Sequence, residues 1–151
     1  MSNVESRLKE LGIELPGSVP PGANYIPFVR TGNLIYLSGA VSLGPEGDHY
    51  GKLGAGVSIE EGQAAARVCA IALIANLNNA VDSLDSVRFV KLLGMVNAAP
   101  DFHDAHKVIN GASDLLVEVF GEKGRHARSA VGMGSLPLGV AVEVEAIVEV
   151  S

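Results

Sequence analysis

From residue 140 the chain alternates almost without fault. Val140, Val142, Val144, Ala146, Val148 and Val150 take the even positions, and Glu143, Glu145 and Glu149 fall among the odd ones beside Ala141 and Ile147. A period of two sends these sets to opposite faces of a sheet. The pattern predicts a strand with one face committed to a core and one face bearing carboxylates. The stretch from His126 to Ala146 reads as two strands joined by a turn bearing Gly and Pro, with Arg128 on the first and Glu143 and Glu145 on the second. Two readings of the carboxylate face stand side by side: a strand face in water, or a small polar pocket shared by Arg128 and Glu143 on the non-core side.

The rest of the chain divides by period and by its stop signals. Val4, Leu8 and Leu11 lie at helical spacing, predicting a short amphipathic helix closed by Gly12. Pro16 to Asn24 is too rich in Pro and Gly for regular structure and reads as a connector. The organisation expected is therefore a helix and connector over 1–24, followed by one domain over 25–151. Tyr25 to Arg30 and Leu34 to Ser38 are β-rich runs around Thr31-Gly32-Asn33, a hairpin signal. Gly44 to Gly51 reads as an ordinary glycine-rich surface loop, since no Lys-Ser/Thr follows it to make a phosphate cradle.

Ser58-Ile-Glu-Glu61 is a capping box, in which the Ser side chain bonds the amide three residues on and Glu61 reaches back. It opens the longest predicted helix, to about Val81, which is Ala-rich and apolar over most of its circumference. Val87 to Val96 is a strand. A further helix is expected from Pro100-Asp101, with Asp101 as its cap, Asp104 in its first turn and Gly121 at its end. The order β-β-α-β then α-β-β predicts an α+β two-layer domain with two long helices on one face of a sheet. Those helices cover one face. The other is too apolar for water alone and too charged for a dry core, which a symmetric assembly with clefts between subunits would resolve.

Composition changes this picture only in places. Hydrophobic residues make up 48% and charged residues 19% of 151 residues, more apolar surface than a small monomer needs, and this favours an oligomer. A net charge of −6 and scattered basic residues argue against a nucleic-acid partner. A lone cysteine, Cys69, excludes an internal disulfide and fits a reducing compartment. No leader is apparent and the longest apolar run is far short of a membrane span, so a cytoplasmic protein without membrane contact is expected.

Arg128-Ser-Ala-Val, then Leu136-Pro137, then Val142-Glu-Val-Glu-Ala-Ile147 resembles the C-terminal signature of the YjgF/Rid family. Its members are enamine/imine deaminases, often labelled endoribonuclease L-PSP-like. Leu37-Ser-Gly39, Asp101-Phe102, Val108-Ile-Asn110 and Phe120-Gly121 fall in the family's order, so the match runs from about Tyr25 to Val150. The N-terminal helix is similar to the extension of a longer subgroup. The resemblance implies a chorismate-mutase-like fold and a homotrimer with three clefts between subunits; no cofactor or metal is expected. It implies hydrolysis of 2-imino and 2-enamino acids to 2-keto acids and ammonia. Arg128 would bind the substrate carboxylate, Glu143 would hold or activate the water, and Tyr25, Ser38, Gly39 and Asn110 would line the pocket. The chain departs from the family's commoner text at His126, Ala130 and Ala40. A protein that binds small carboxylates without turnover is the alternative, ahead of a ribonuclease.

The residue chemistry is compatible with those roles. Arginine presents five donors in a planar fork, suited to a carboxylate, although an ion pair with Glu143 or Glu145 would use the same fork. Burial would raise the pKa of Glu143 towards that of a general base. Glu145, one pleat away, is expected to play a supporting part. Asn110 in mid-helix hints at a partner for its amide, and Tyr25 could stack on a ligand or anchor the connector. His126 shares a strand face with Arg128 and lines a cleft or packs at its rim. His103 and His106 read as surface residues rather than metal ligands, Cys69 as a small core residue, and Arg67 as a stem-covering residue whose head reaches Glu60 or solvent.

Overall fold

The structure, a computed structural model, describes residues 2–17 and 23–151. Helix α1 spans Asn3–Glu10, where the Ser2 hydroxyl accepts the Glu5 amide and Glu5 returns the bond to the Ser2 amide. Both oxygens of Asp85 accept further amides at the helix start, from Asn3 and Val4 at 2.9 Å each, and these bonds hold the Asp85 carboxyl below its usual pKa. Buried Val4 and Leu8 join the main core, and Arg7 donates to the Glu118 carbonyl of the third helix. Of the connector expected over 16–24, residues 18–22 lie outside the described residues.

Strands β1 (Phe28–Thr31) and β2 (Leu34–Val41) form the expected hairpin, closing at the Thr31–Leu34 pair over Gly32 and Asn33. Gly32 takes φ +58°, a conformation open to glycine at little cost. The stretch read as a plain glycine-rich loop instead contains a tight hairpin, Leu43–Gly44 against Gly47–Asp48. Its backbone groups find partners across the turn, which a loop free in solvent would leave to water.

Helix α2 (Ile59–Ala80) begins at the Ser58 capping box, with both reciprocal bonds formed. Arg67 reaches Glu46 of that hairpin at 2.9 Å rather than Glu60. β3 (Val87–Asn97) follows, then α3 (Ala105–Phe120), β4 (Ala127–Met133) and β5 (Val142–Val150). α3 starts four residues later than Asp101: Pro100 and Asp101 form a turn, and Asp104 occupies the cap position without a side-chain cap bond. Gly121 ends α3 at φ +62°, as expected.

The five-stranded sheet has the order β1-β2-β5-β3-β4, antiparallel except for the β3–β4 pair. The two C-terminal strands are therefore not neighbours, because β3 lies between them. β3, α3 and β4 form a crossover unit, and α3 packs back onto the sheet beside α2. The even residues of β5 are buried under the helices with Ile35, Leu37, Phe89 and Leu92. Glycine permits the close approach: a Cβ on Gly111 would run into the Gln63 backbone of α2, and one on Gly94 into Ile109. The result is an α+β two-layer fold with the opposite sheet face uncovered. That face carries Val29 and Tyr36, 52% and 45% exposed, with Val131 at its edge.

Candidate functional site

The residues singled out in the sequence gather into two groups, and the sheet separates them. Arg128 pairs with Leu92 of β3, a residue wholly buried beneath the helices, so Arg128 projects to the helix side. Glu143 pairs with Met95 and Val41 on the opposite face. The two lie two strand spacings apart (~10 Å) and three residues along the sheet (another ~10 Å), pointing away from each other. The pocket expected from both on the non-core face does not form within one chain. The cause is the parallel β3–β4 register, which aligns Arg128 with the core positions of β3.

The first group lies where α3 crosses edge strand β4. Arg128 donates from Nη1 to the Ser113 hydroxyl at 3.1 Å and from Nη2 to the His106 carbonyl at 2.9 Å. With Asn110, Val117, Arg125 and His126, these side chains line an open pocket of about 270 Å³. Asn110 and Arg128 are thus brought together, and His126 lines the same hollow. His126 is bonded on both ring nitrogens, to the Gly124 carbonyl at 2.7 Å and to Ser113 at 2.9 Å. Burial, and secondarily the charge of Arg128, press its pKa below the usual histidine value. Ser113 was not among the residues expected at the site. The signal for it was present: Asn110 and Ser113 are polar residues three apart on a helix that is otherwise apolar on its inner side.

The second group is built on an irregularity in β2. Between Leu37 and Ala40 the register with β5 slips by one residue, so Ser38 and Gly39 form a β-bulge opposite Glu145. The Glu143 carboxylate fills the space a Cβ at position 39 would occupy, so only glycine fits there without displacing it. Ser38 donates its hydroxyl to the Ile26 carbonyl at 2.6 Å and its amide to the Pro27 carbonyl at 2.9 Å. These bonds tie the entry to β1, and with it the half-exposed Tyr25, to the rim of the bulge. Ser38, Gly39 and Glu143 are thereby brought together. Desolvation raises the Glu143 pKa above the usual carboxylate value, and the neighbouring Glu145 raises it further.

Cys69 stands outside both groups, and the His106 side chain has no role in either. Cys69 is buried, its thiol 3.5 Å from the Val142 carbonyl and pushed up in pKa chiefly by burial, so it packs rather than reacts. His106 contributes its carbonyl, and among the described residues no cluster of three or more His, Cys, Asp or Glu could hold a metal ion. No helix among the described residues is long and apolar enough to cross a membrane.

Residues 5–150 match the family described as "YjgF/chorismate_mutase-like, putative endoribonuclease". Protein TCP17 of Trypanosoma cruzi is 46% identical over 151 residues, covering 98% of this chain and 94% of its own. Among solved structures, Atu1372 of Agrobacterium tumefaciens, a protein of unknown function, is 44% identical and covers 97% of this chain and 91% of its own, at a TM-score of 0.88. A "putative endoribonuclease" from Shewanella oneidensis MR-1 superposes at 0.93 with 34% identity, over 99% of this chain and 100% of its own.

Proposed function

The chain belongs to the YjgF/chorismate mutase-like family, and from its two half-sites we propose that it hydrolyses reactive 2-imino and 2-enamino acids to 2-keto acids and ammonia, in clefts between copies of itself. The observation that carries this reading is the division itself. A carboxylate-gripping fork and a desolvated carboxylate sit on opposite faces of one sheet, each open outward. Only a second copy can bring an Arg128 opposite a Glu143. The uncovered sheet face, with Val29, Tyr36 and Val131 exposed, supplies apolar surface for that contact, and a homotrimer with three clefts is the assembly proposed.

In such a cleft, Arg128 binds the substrate carboxylate through its free donors. Glu143, with its raised pKa, accepts a proton from water as the oxygen adds to the C=N carbon. That proton passes to nitrogen to give a carbinolamine; Glu143 then takes the hydroxyl proton and hands it to nitrogen, so that the C–N bond breaks and ammonia leaves as the carbonyl forms. An enamine enters the same sequence after tautomerising to the imine. Imines hydrolyse readily, so orientation of water and substrate supplies most of what is needed. The net charge of −6 weighs against the RNA-cleaving reading contained in the family description.

The test is hydrolysis of 2-iminopropionate generated in situ. Arg128→Ala is expected to lower kcat/KM about a hundredfold, the scale of one lost charge-assisted pair. Turnover equal to that of the parent protein would remove the assignment. Keto-acid binding lost with Arg128, without turnover in the parent, would point instead to a carboxylate-binding protein.

A further inference from the structure

The hydrogen bonds around Arg128 have a direction. His126 Nδ1 lies 2.7 Å from the Gly124 carbonyl, which can only accept, so Nδ1 carries the ring proton. In the neutral ring Nε2 is then an acceptor, and the Ser113 hydroxyl 2.9 Å away donates to it. With its hydrogen committed, Ser113 Oγ keeps lone pairs for Arg128, and Nη1 donates to it at 3.1 Å. Each member of the series has one role consistent with its neighbours.

We infer that Ser113 and His126 are positioning residues for Arg128: the series from the Gly124 carbonyl through imidazole and hydroxyl to guanidinium, closed by the His106 carbonyl on Nη2, fixes the fork towards the open pocket. The inference rests on the reading of Arg128 as the carboxylate anchor. Both terminal nitrogens are tied, on the helix side, by one bond each. Three of the guanidinium's five donors therefore remain for a ligand. His106, Asn110, Ser113 and Val117 recur along α3 at spacings of four, three and four, which places them as one stripe along edge strand β4. A long, rotamer-rich arginine on an edge strand would otherwise sweep a wide arc, and supporting contacts restrict it before substrate arrives. Burial lowers the His126 pKa, which favours the neutral ring that this pattern uses. A protonated ring would turn Nε2 into a second donor and leave the Ser113 hydrogen without its acceptor.

The experiment pairs a binding measurement with a spectroscopic one on the full-length protein. Calorimetry with 2-oxobutanoate, a stable 2-keto acid, is expected to give a Kd about fivefold weaker for Ser113→Ala and for His126→Ala, the scale of one hydrogen bond. The double variant should be no weaker than the worse single, since both act through one series. Nitrogen-detected NMR of the arginine side chains should resolve separate Nη signals for Arg128 in the parent protein and in Ser113→Thr, merging in Ser113→Ala as the fork rotates freely. Histidine spectra should place the His126 proton on Nδ1. Unchanged affinity and unchanged Nη signals in Ser113→Ala, while Arg128→Ala abolishes binding, would overturn the positioning role and leave the anchor intact. Binding indifferent to Arg128→Ala would remove the anchor and the positioning role with it.

Discussion

Gly39 and Glu143 meet at the β2 bulge, the glycine's missing side chain leaving the room that the carboxylate occupies. Gly39→Ala should therefore push the carboxylate aside while leaving the helix-covered core alone. The expected outcome is a loss of about tenfold to a hundredfold in kcat for 2-iminopropionate, since displacements of about 1 Å suffice for such losses. The thermal midpoint should be nearly unchanged. Rate and melting curve measured on one preparation check the pair of statements.

Glu143 is raised in pKa by desolvation first and by Glu145 second, so the two carboxylates are coupled. As a proton acceptor Glu143 works only when ionised, and activity should fall as the pH drops through its raised pKa. Glu145→Gln removes the second cause. The acid limb of the kcat/KM profile should then move to lower pH, because the folded-state pKa of Glu143 falls back towards its ordinary value. A shift in the opposite direction, or none, would separate Glu145 from the site.

The opposed placement of Arg128 and Glu143 makes a prediction about mixtures. Arg128→Ala and Glu143→Gln should each lose about a hundredfold or more of the activity alone. Co-refolded in equal amounts, they should regain about a quarter of the parent activity, because in a closed ring one cleft in four receives an intact arginine from one copy and an intact glutamate from its neighbour. Activity of the mixture equal to the sum of the separate variants would show that no cleft is shared.

Gly111 holds α3 against α2, where a Cβ would strike the Gln63 backbone. Helix propensity favours alanine by about 1 kcal/mol at such a position. Overpacking against a backbone that cannot rotate away costs about 1–3 kcal/mol and outweighs it. Gly111→Ala should lower the urea midpoint with an unchanged m-value.

Local signals account for the parts of this fold that were legible in the chain. The alternation from Val140 to Val150, the Ser58–Glu61 box and the Gly32-Asn33 turn each concern residues close in sequence, and each formed its element, the strand beginning two residues in, at Val142. The side on which Arg128 lies depends on how β4 aligns with a strand some 36 residues earlier, at the Leu92–Arg128 pair, and no local period records that alignment. A strand buried on one face and one lying at an edge can carry the same text. The start of α3 was displaced for a related reason: Pro100 and Asp101 satisfy the rules for a helix start, yet the chain uses them to turn out of β3. Ser113 was within reach of the sequence, since its spacing from Asn110 marks a polar stripe. The importance of that stripe depends on which strand crosses it.

The strand β5 lies at the centre of the sheet and hydrogen-bonds to β2 on one side and β3 on the other. Without β5, β1–β2 and β3–β4 are two unconnected ladders with bare inner edges. The layer therefore closes only when β5 is in place, and the two ladders depend on its nine residues, Val142–Val150, to become one body.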